Sequence, residues 1–296
     1  MEIRHLELLR ELRDRGSLAA VARATHRTPS ALSQQLRTAE RELGVQLVEP
    51  VSRGIRLTSA GELLAEGASD IMERLAALRA ELDASTGEPR GTVSVMTLSS
   101  AAEPLLPGLV QQMSGTAITL ELSDFLSMDV FAPRTSDADV VIGHTTTGPP
   151  ADVQGLNVTL LAQEPLDVAV PPGHPLAGRD ELTPEDVAAH PWVGAPEGYP
   201  FDAVPAAVEQ ATGRPVDRRF RLRDNRTVEV LVAEGAGLGV LPRFSARIRP
   251  EVRLIPLTGV RAERAILALS RAERYVRQAV QTVTEALRRE GERLQG

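Results

Sequence analysis

At 296 residues and 42% apolar content, the chain is long enough for two or three packed units. It contains no cysteine, which excludes a disulfide framework, a thiolate zinc site and any thiol-based redox switch. The net charge of −7 is unevenly spread: residues 1–58 hold ten arginines against seven acids, a net of +3, and the remainder holds 23 arginines against 33 acids, a net of −10. A basic segment on an acidic body suits contact with a polyanion through that segment alone.

The opening MEIRHLELLRELRDR has no apolar core of signal-peptide type, and no run of about 18 apolar residues occurs anywhere. A soluble, cytoplasmic protein without membrane contact is expected. Within residues 3–14, Leu6, Leu9 and Leu12 fall at helical spacing. Gly16-Ser17 then interrupts, and Leu18, Val21, Ala22 and Thr25 repeat at i, i+3, i+4, i+7, which predicts a short second helix ending at His26-Arg27. Thr28-Pro29 is a helix start: a hydroxyl that can cap, then a proline whose missing N–H costs nothing at the first helical position. In the third helix Leu32, Leu36, Ala39 and Leu43 should face inward, leaving Ser30, Ser33, Gln34 and Arg37 on the other face. Those hydroxyl, amide and guanidinium groups are the kind that reach base edges and phosphates when a helix lies in the major groove of double-stranded DNA.

The order of parts resembles the N-terminal domain of LysR-type transcriptional regulators: helix, Gly16-Ser17, small-residue helix, three-residue turn, Thr-Pro cap, Ser/Gln/Arg face, Glu40, Leu43-Gly44. The likeness continues through LVEPVSRGIRLTSAGELL at 47–64, which is similar to the family's wing hairpin and the start of its linker helix. The chain departs from the commonest family pattern at Pro29-Ser30, Val48 and Pro50. The last removes a cation from the wing near Arg53. The resemblance implies a winged helix-turn-helix DNA-binding domain over 1–58, otherwise all-α. It assigns DNA contact to Arg27, Thr28, Pro29, Ser30, Ser33, Gln34, Arg37 and Arg53.

From Ser59 to about Ser85 there is no proline, and Leu64, Ala68, Ile71, Leu75, Leu78 and Leu82 alternate by fours and threes as a heptad seam. The seam predicts dimerisation through Leu64, Ile71, Leu75, Leu78 and Leu82 of a linker helix, with Gly87 closing the 59–87 segment. A homodimer, assembling further to a homotetramer, would place two reading heads on paired half-sites.

From Thr92 the pattern turns to strands alternating with helices, which argues for a parallel sheet of βαβ units. Strands are expected at TVSVMTL, ITLELS and DVVIG, and separately at Leu160–Ala162 and Leu166–Val170. The family implies an α/β effector domain of periplasmic-binding-protein type over 88–296. Subdomain I would be 88–163 with 265–296, and subdomain II 164–264. A small-molecule effector would sit between them. Ligands of open parallel sheets lie beyond the strand carboxyl ends, which singles out Thr97, Ser99, Ser100, Phe125 and His144. Ser99-Ser100 precede a helix whose free N–H groups suit a carboxylate. The facing wall would come from Glu197, Tyr199 and Phe201, with Asn225-Arg226 at another helix start.

The tract Glu234–Pro242 spells G-x-G-x-G, but it follows a helix and precedes a strand, the reverse of a dinucleotide fingerprint. It reads as a helix end turning into a strand. No HExxH or CxxC occurs, so no cofactor or metal is expected. The expected function is effector-controlled, sequence-specific DNA binding without enzymatic activity, with RNA polymerase as a further partner. Two rivals stand beside it. One is an architectural DNA-binding protein lacking an effector. The other is a serine-dependent hydrolase built on Ser99 or Ser100 with a histidine base, although no G-x-S-x-G elbow surrounds either serine.

Overall fold

A computed structural model describes residues 1–52, 54–84, 87–125, 131–146, 148, 153, 155–246 and 252–296. The chain begins with a head of three helices, α1 (Ile3–Arg15), α2 (Leu18–Ala24) and α3 (Pro29–Leu43), and a hairpin of β1 (Val48–Val51) and β2 (Gly54–Leu57). Each boundary has a local cause. Gly16 ends α1 at φ 71°, and the Ser17 hydroxyl accepts from Ala20 N–H at 3.2 Å to start α2. His26 takes a left-handed φ of 52° in the turn, and the Arg27 N–H reaches the Ala22 carbonyl at 3.0 Å. Thr28 caps α3 through Ala31 N–H at 3.2 Å, with Pro29 in the first turn.

Leu9, Leu12, Val21, Leu32, Leu36, Ala39 and Leu47 form the head's core, each fully buried aliphatic contributing about 1.5–3 kcal/mol. Two residues expected on that inner face lie outside it. Thr25 is exposed and returns its hydroxyl to Val21 O, and Leu43, at the end of the last turn, is 36% exposed. The hairpin means that the head is not wholly helical. It is tied to α3 by Glu40, whose Oε1 accepts from Leu47 N–H at 2.9 Å.

Helix α4 (Ser59–Ala84) leaves the head along α1. Its seam divides. Leu64 packs against the head and Ala68 is buried, Leu75 is half-buried, and Ile71, Leu78 and Leu82 are 45, 45 and 69% exposed.

The body comprises β3 (Arg90–Thr97), α5 (Ser99–Met113), β4 (Ala117–Asp124), β5 (Val140–Thr145), β6 (Leu156–Val170), α6 (Pro184–Ala188) and β7 (Trp192–Gly194). It continues with α7 (Ala203–Thr212), β8 (Arg218–Arg221), α8 (Asn225–Ala233), β9 (Leu238–Pro242), β10 (Arg253–Ile255), β11 (Glu263–Arg271), α9 (Ala272–Tyr275) and α10 (Gln278–Gln295). Strand order is β4-β3-β5-β11-β6-β9-β7-β8, with β10 also on β6. Among the described residues, β4-β3-β5 and β9-β7-β8 are parallel, and β6, β10 and β11 pair antiparallel. The expectation of a parallel sheet is therefore corrected to a mixed one.

The cause is that β6 is one 15-residue strand where two short ones were expected. Its stretch from Leu156 to Pro165 pairs β11 in one lobe and its stretch from Leu166 to Val170 pairs β9 and β10 in the other. Antiparallel β6 and β11 thus form the double connection between lobes, and a register shift between Ile266 and Leu267 bends the pair. Val95, Leu105, Leu109, Ile142 and Ile266 fill the first lobe, closed by Val280, Val283 and Leu287 of α10. Val168, Trp192, Val204, Val208, Leu238 and Ile255 fill the second.

The head also touches the body of its own chain. Arg10 pairs with Glu273 at 2.5 Å, Asp14 with Arg271 at 2.6 Å, and Arg15 with Asp137 at 2.7 Å. Three ion pairs therefore join α1 to the first lobe.

Candidate functional site

Two surfaces carry the expected chemistry. At the N-terminal end of α3, Arg27, Thr28, Pro29, Ser30, Gln34 and Arg37 are exposed and Ser33 is half-buried. Thr28 and Ser30 share a hydroxyl contact at 3.1 Å. The inward turn of the same helix is fixed by Leu32, Leu36 and Ala39 and by Gln35, whose amide donates to Arg4 O. One polar stripe is thus left uncovered on a helix that cannot rotate. Arg53 lies outside the described residues.

The second surface is a cavity of about 180 Å³ between the two lobes. Ser99, Ser100 and Phe125 come to it from the first lobe, and Tyr199, Phe201 and Asn225 from the second. Three other expected residues do not line it. Thr97 is 1% exposed with its hydroxyl turned to Leu98 O, because it ends a buried strand. His144 is 2% exposed and sits between Phe131 and Phe201 in tilted and edge-on ring contacts, behind the wall. Glu197 is a turn residue whose side chain is 90% exposed, 3.9 Å from Arg221.

The structure adds residues that sequence reasoning did not assign. Arg264 and Glu164, both fully buried, face each other on β11 and β6 and pair at 2.6 Å. Arg264 also donates to Ser100 Oγ at 2.9 Å and Ser100 O at 3.0 Å, and lies 5.5 Å from the Phe201 ring centroid. Glu164 accepts from Phe244 N–H at 2.6 Å. Burial pushes the Glu164 carboxyl above its ordinary range, opposed by Arg264. Burial, helped by the Arg264 charge, holds His144 well below the usual imidazole value, so its ring is neutral. Across the mouth Arg226 of α8 pairs with Glu103 of α5, joining the lobes, and stands 3.6 Å from Glu229. A usable signal existed: two strands crossing together each carry a charge at the crossing, where a lone charge could not be buried.

This is a helix-turn-helix head joined by a long helix to a two-lobed body with a cavity between the lobes. Residues 3–62 match the model of bacterial regulatory helix-turn-helix proteins of the lysR family, and residues 86–292 match the LysR substrate binding domain. The chain belongs to the LysR family of transcriptional regulators.

Among curated relatives, the transcriptional regulator MetR of Salmonella typhimurium is 31% identical over 192 residues, covering 64% of this chain and 58% of MetR. The chain thus spans less than two thirds of that relative's length. The dual regulator OxyR of Escherichia coli is 27% identical over 97% of this chain and 95% of OxyR. Among solved structures, a full-length OxyR variant from Pseudomonas aeruginosa superposes with TM-score 0.69 at 21% identity, covering 97% of this chain and 95% of that one. CbnR in complex with its target DNA gives TM-score 0.55 at 24% identity over 98% and 100%. Both likenesses are of fold.

Proposed function

We propose that this chain is a sequence-specific, DNA-binding transcriptional regulator whose action on its operator is set by a small molecule held between the two lobes. The observation that carries this reading is that one chain presents an uncovered polar stripe on α3 and a cavity whose walls come from both lobes. In this reading Arg27, Arg37 and Arg53 position the head on phosphates, and Ser30, Ser33 and Gln34 discriminate bases. Thr28 and Pro29 fix the register of the helix start. Effector binding changes the angle between the lobes, and the three ion pairs from α1 to the first lobe pass that change to the head.

The exposed Ile71, Leu78 and Leu82 support a homodimer through α4, and a homotetramer is the further assembly proposed, with RNA polymerase as a contact at the promoter. The chain is read as a cytoplasmic protein; among the described residues no helix is long and apolar enough to cross a membrane. It is read as non-enzymatic: Ser100 Oγ accepts from Arg264, and nothing in that contact activates a nucleophile. The chain has no cysteine, so its response to an effector runs without thiol chemistry.

Footprinting of the DNA upstream of its own coding sequence tests the reading, with and without products of the divergently oriented neighbouring gene. A protected site altered by one product is expected. Ser33→Glu should erase the footprint while size-exclusion mass is kept. Ser99→Trp should keep the footprint and lose the response. An intact footprint in the first variant rejects the α3 assignment, and an intact response in the second rejects the cavity assignment.

A further inference from the structure

We infer that the ligand of the inter-lobe cavity is a zwitterionic α-amino acid, bound by its carboxylate at the start of α5 and by its ammonium at Glu229. The inference rests on the cavity being the effector site. The charges lining the cavity do not all cancel. Glu103 pairs with Arg226, and Asp224 caps α8 by accepting from Thr227 N–H at 2.8 Å and its hydroxyl at 2.7 Å. One group of each sign is left. Glu229 is 2% exposed, its Oε1 has no hydrogen-bond partner among the described residues, and its other oxygen meets only Arg226 at 3.6 Å. Arg223 lies over the Tyr199 ring at 6.0 Å from its centroid and has no carboxylate partner among the described residues.

A buried carboxylate oxygen without a donor is costly, and a ligand N–H group relieves that cost. The positive side is set by α5. Leu98 stands at its cap position and makes no side-chain cap bond, and its carbonyl already accepts from Ala101 and Ala102. The N–H groups of Ser99 and Ser100 therefore have no acceptor in the helix and lie at the positive end of its dipole. A ligand that carries a carboxylate and an ammonium on one carbon answers to both of these cavity-lining groups. A simple carboxylic acid answers to only one of them, and a dicarboxylic acid would also set a second negative charge towards Glu229. The remaining wall is mixed: Phe125, Phe201 and Leu241 offer apolar surface to a side chain, beside the polar Asn225 and Ser245. A cavity of about 180 Å³ is below the range of drug-sized pockets and fits a single amino acid.

The test is thermal unfolding and isothermal titration of the full-length protein. The probes are the twenty proteinogenic L-amino acids and their one-carbon homologues, each singly, then the N-acetyl and carboxamide forms of any binder. Succinate, benzoate and acetate serve as acids without an amine. At least one amino acid should raise Tm, and each capped form should bind about tenfold to a hundredfold more weakly. Glu229→Gln, checked for folding by circular dichroism, should lose a similar factor for the amino acid and not for its N-acetyl form. Binding that survives N-acetylation overturns the inference, as does a silent amino-acid panel. If amine-free acids bind while amino acids do not, the cavity still stands as the effector site and only the zwitterion falls. Silence from both classes removes both readings.

Discussion

The start of α3 and the inter-lobe cavity are built in opposite ways. The α3 surface is made by consecutive residues: cap, proline, polar stripe and apolar stripe all lie between Thr28 and Leu43. The cavity takes its walls from segments as far apart as Ser99 and Ala246. A local element tolerates damage elsewhere in the chain, whereas a site assembled by two crossing strands depends on the crossing.

The largest expected effect breaks the cavity and spares the head. Arg264→Met leaves Glu164 buried without its cation and frees Ser100, and urea unfolding should record a loss of about 3–5 kcal/mol in the body. Adding Glu164→Leu should recover much of it, since a matched apolar pair avoids burying a lone charge. A double variant no more stable than the single one would mean that the pair does not act as a unit. The reciprocal experiment strikes the head. A Cβ on Gly61 would lie 2.2 Å from Leu47 O, so Gly61→Ala must lift α4 off the wing. About 1–3 kcal/mol should be lost in the unfolding of the head, with ligand binding by the body unchanged.

A smaller effect separates the two regions by pH. His144 is held neutral in the fold and titrates normally once unfolded, so its depressed pKa removes stability as pH falls below the unfolded value of about 6.5. The loss approaches about 1.4 kcal/mol per pH unit below that value. Glu164, with its raised pKa, acts in the opposite direction at lower pH, so the His144 share is read as the difference between wild type and His144→Leu. Denaturation at pH 7.5 and 5.5 should give the variant the flatter profile; parallel profiles would contradict a buried neutral ring. The smallest effect lies at the cap. Thr28→Ala removes the hydroxyl that accepts from Ala31 N–H and should cost the head about 1 kcal/mol, with a weaker footprint.

Much of the head was legible because periodicity, caps and breakers act over a few residues. Ser17, Thr28, Pro29, Gly16 and Gly44 sit at the observed boundaries for reasons stated by their own chemistry. Less was legible in the cavity. Ser99, Ser100, Phe125, Tyr199, Phe201 and Asn225 reach it because strand ends and helix starts mark where a cleft opens. Thr97 and His144 were drawn in by the same rule but belong to the packed side of the sheet. Glu103, Arg223 and Glu229 gave no local sign, since a charge in a polar stretch ordinarily faces solvent.

The sequence alone determined the helix-turn-helix, the linker helix, the alternation of strands and helices, and the absence of thiol chemistry. Each follows from short-range pattern or from composition. The tertiary structure decided that β6 runs through both lobes, that Arg264 and Glu164 are buried against each other, and that Arg10, Asp14 and Arg15 hold the head to the body. Those outcomes pair residues 100 or more positions apart. Whether a charge is solvated, paired or buried depends on what the fold brings to it, and spacing along the chain carries no record of that.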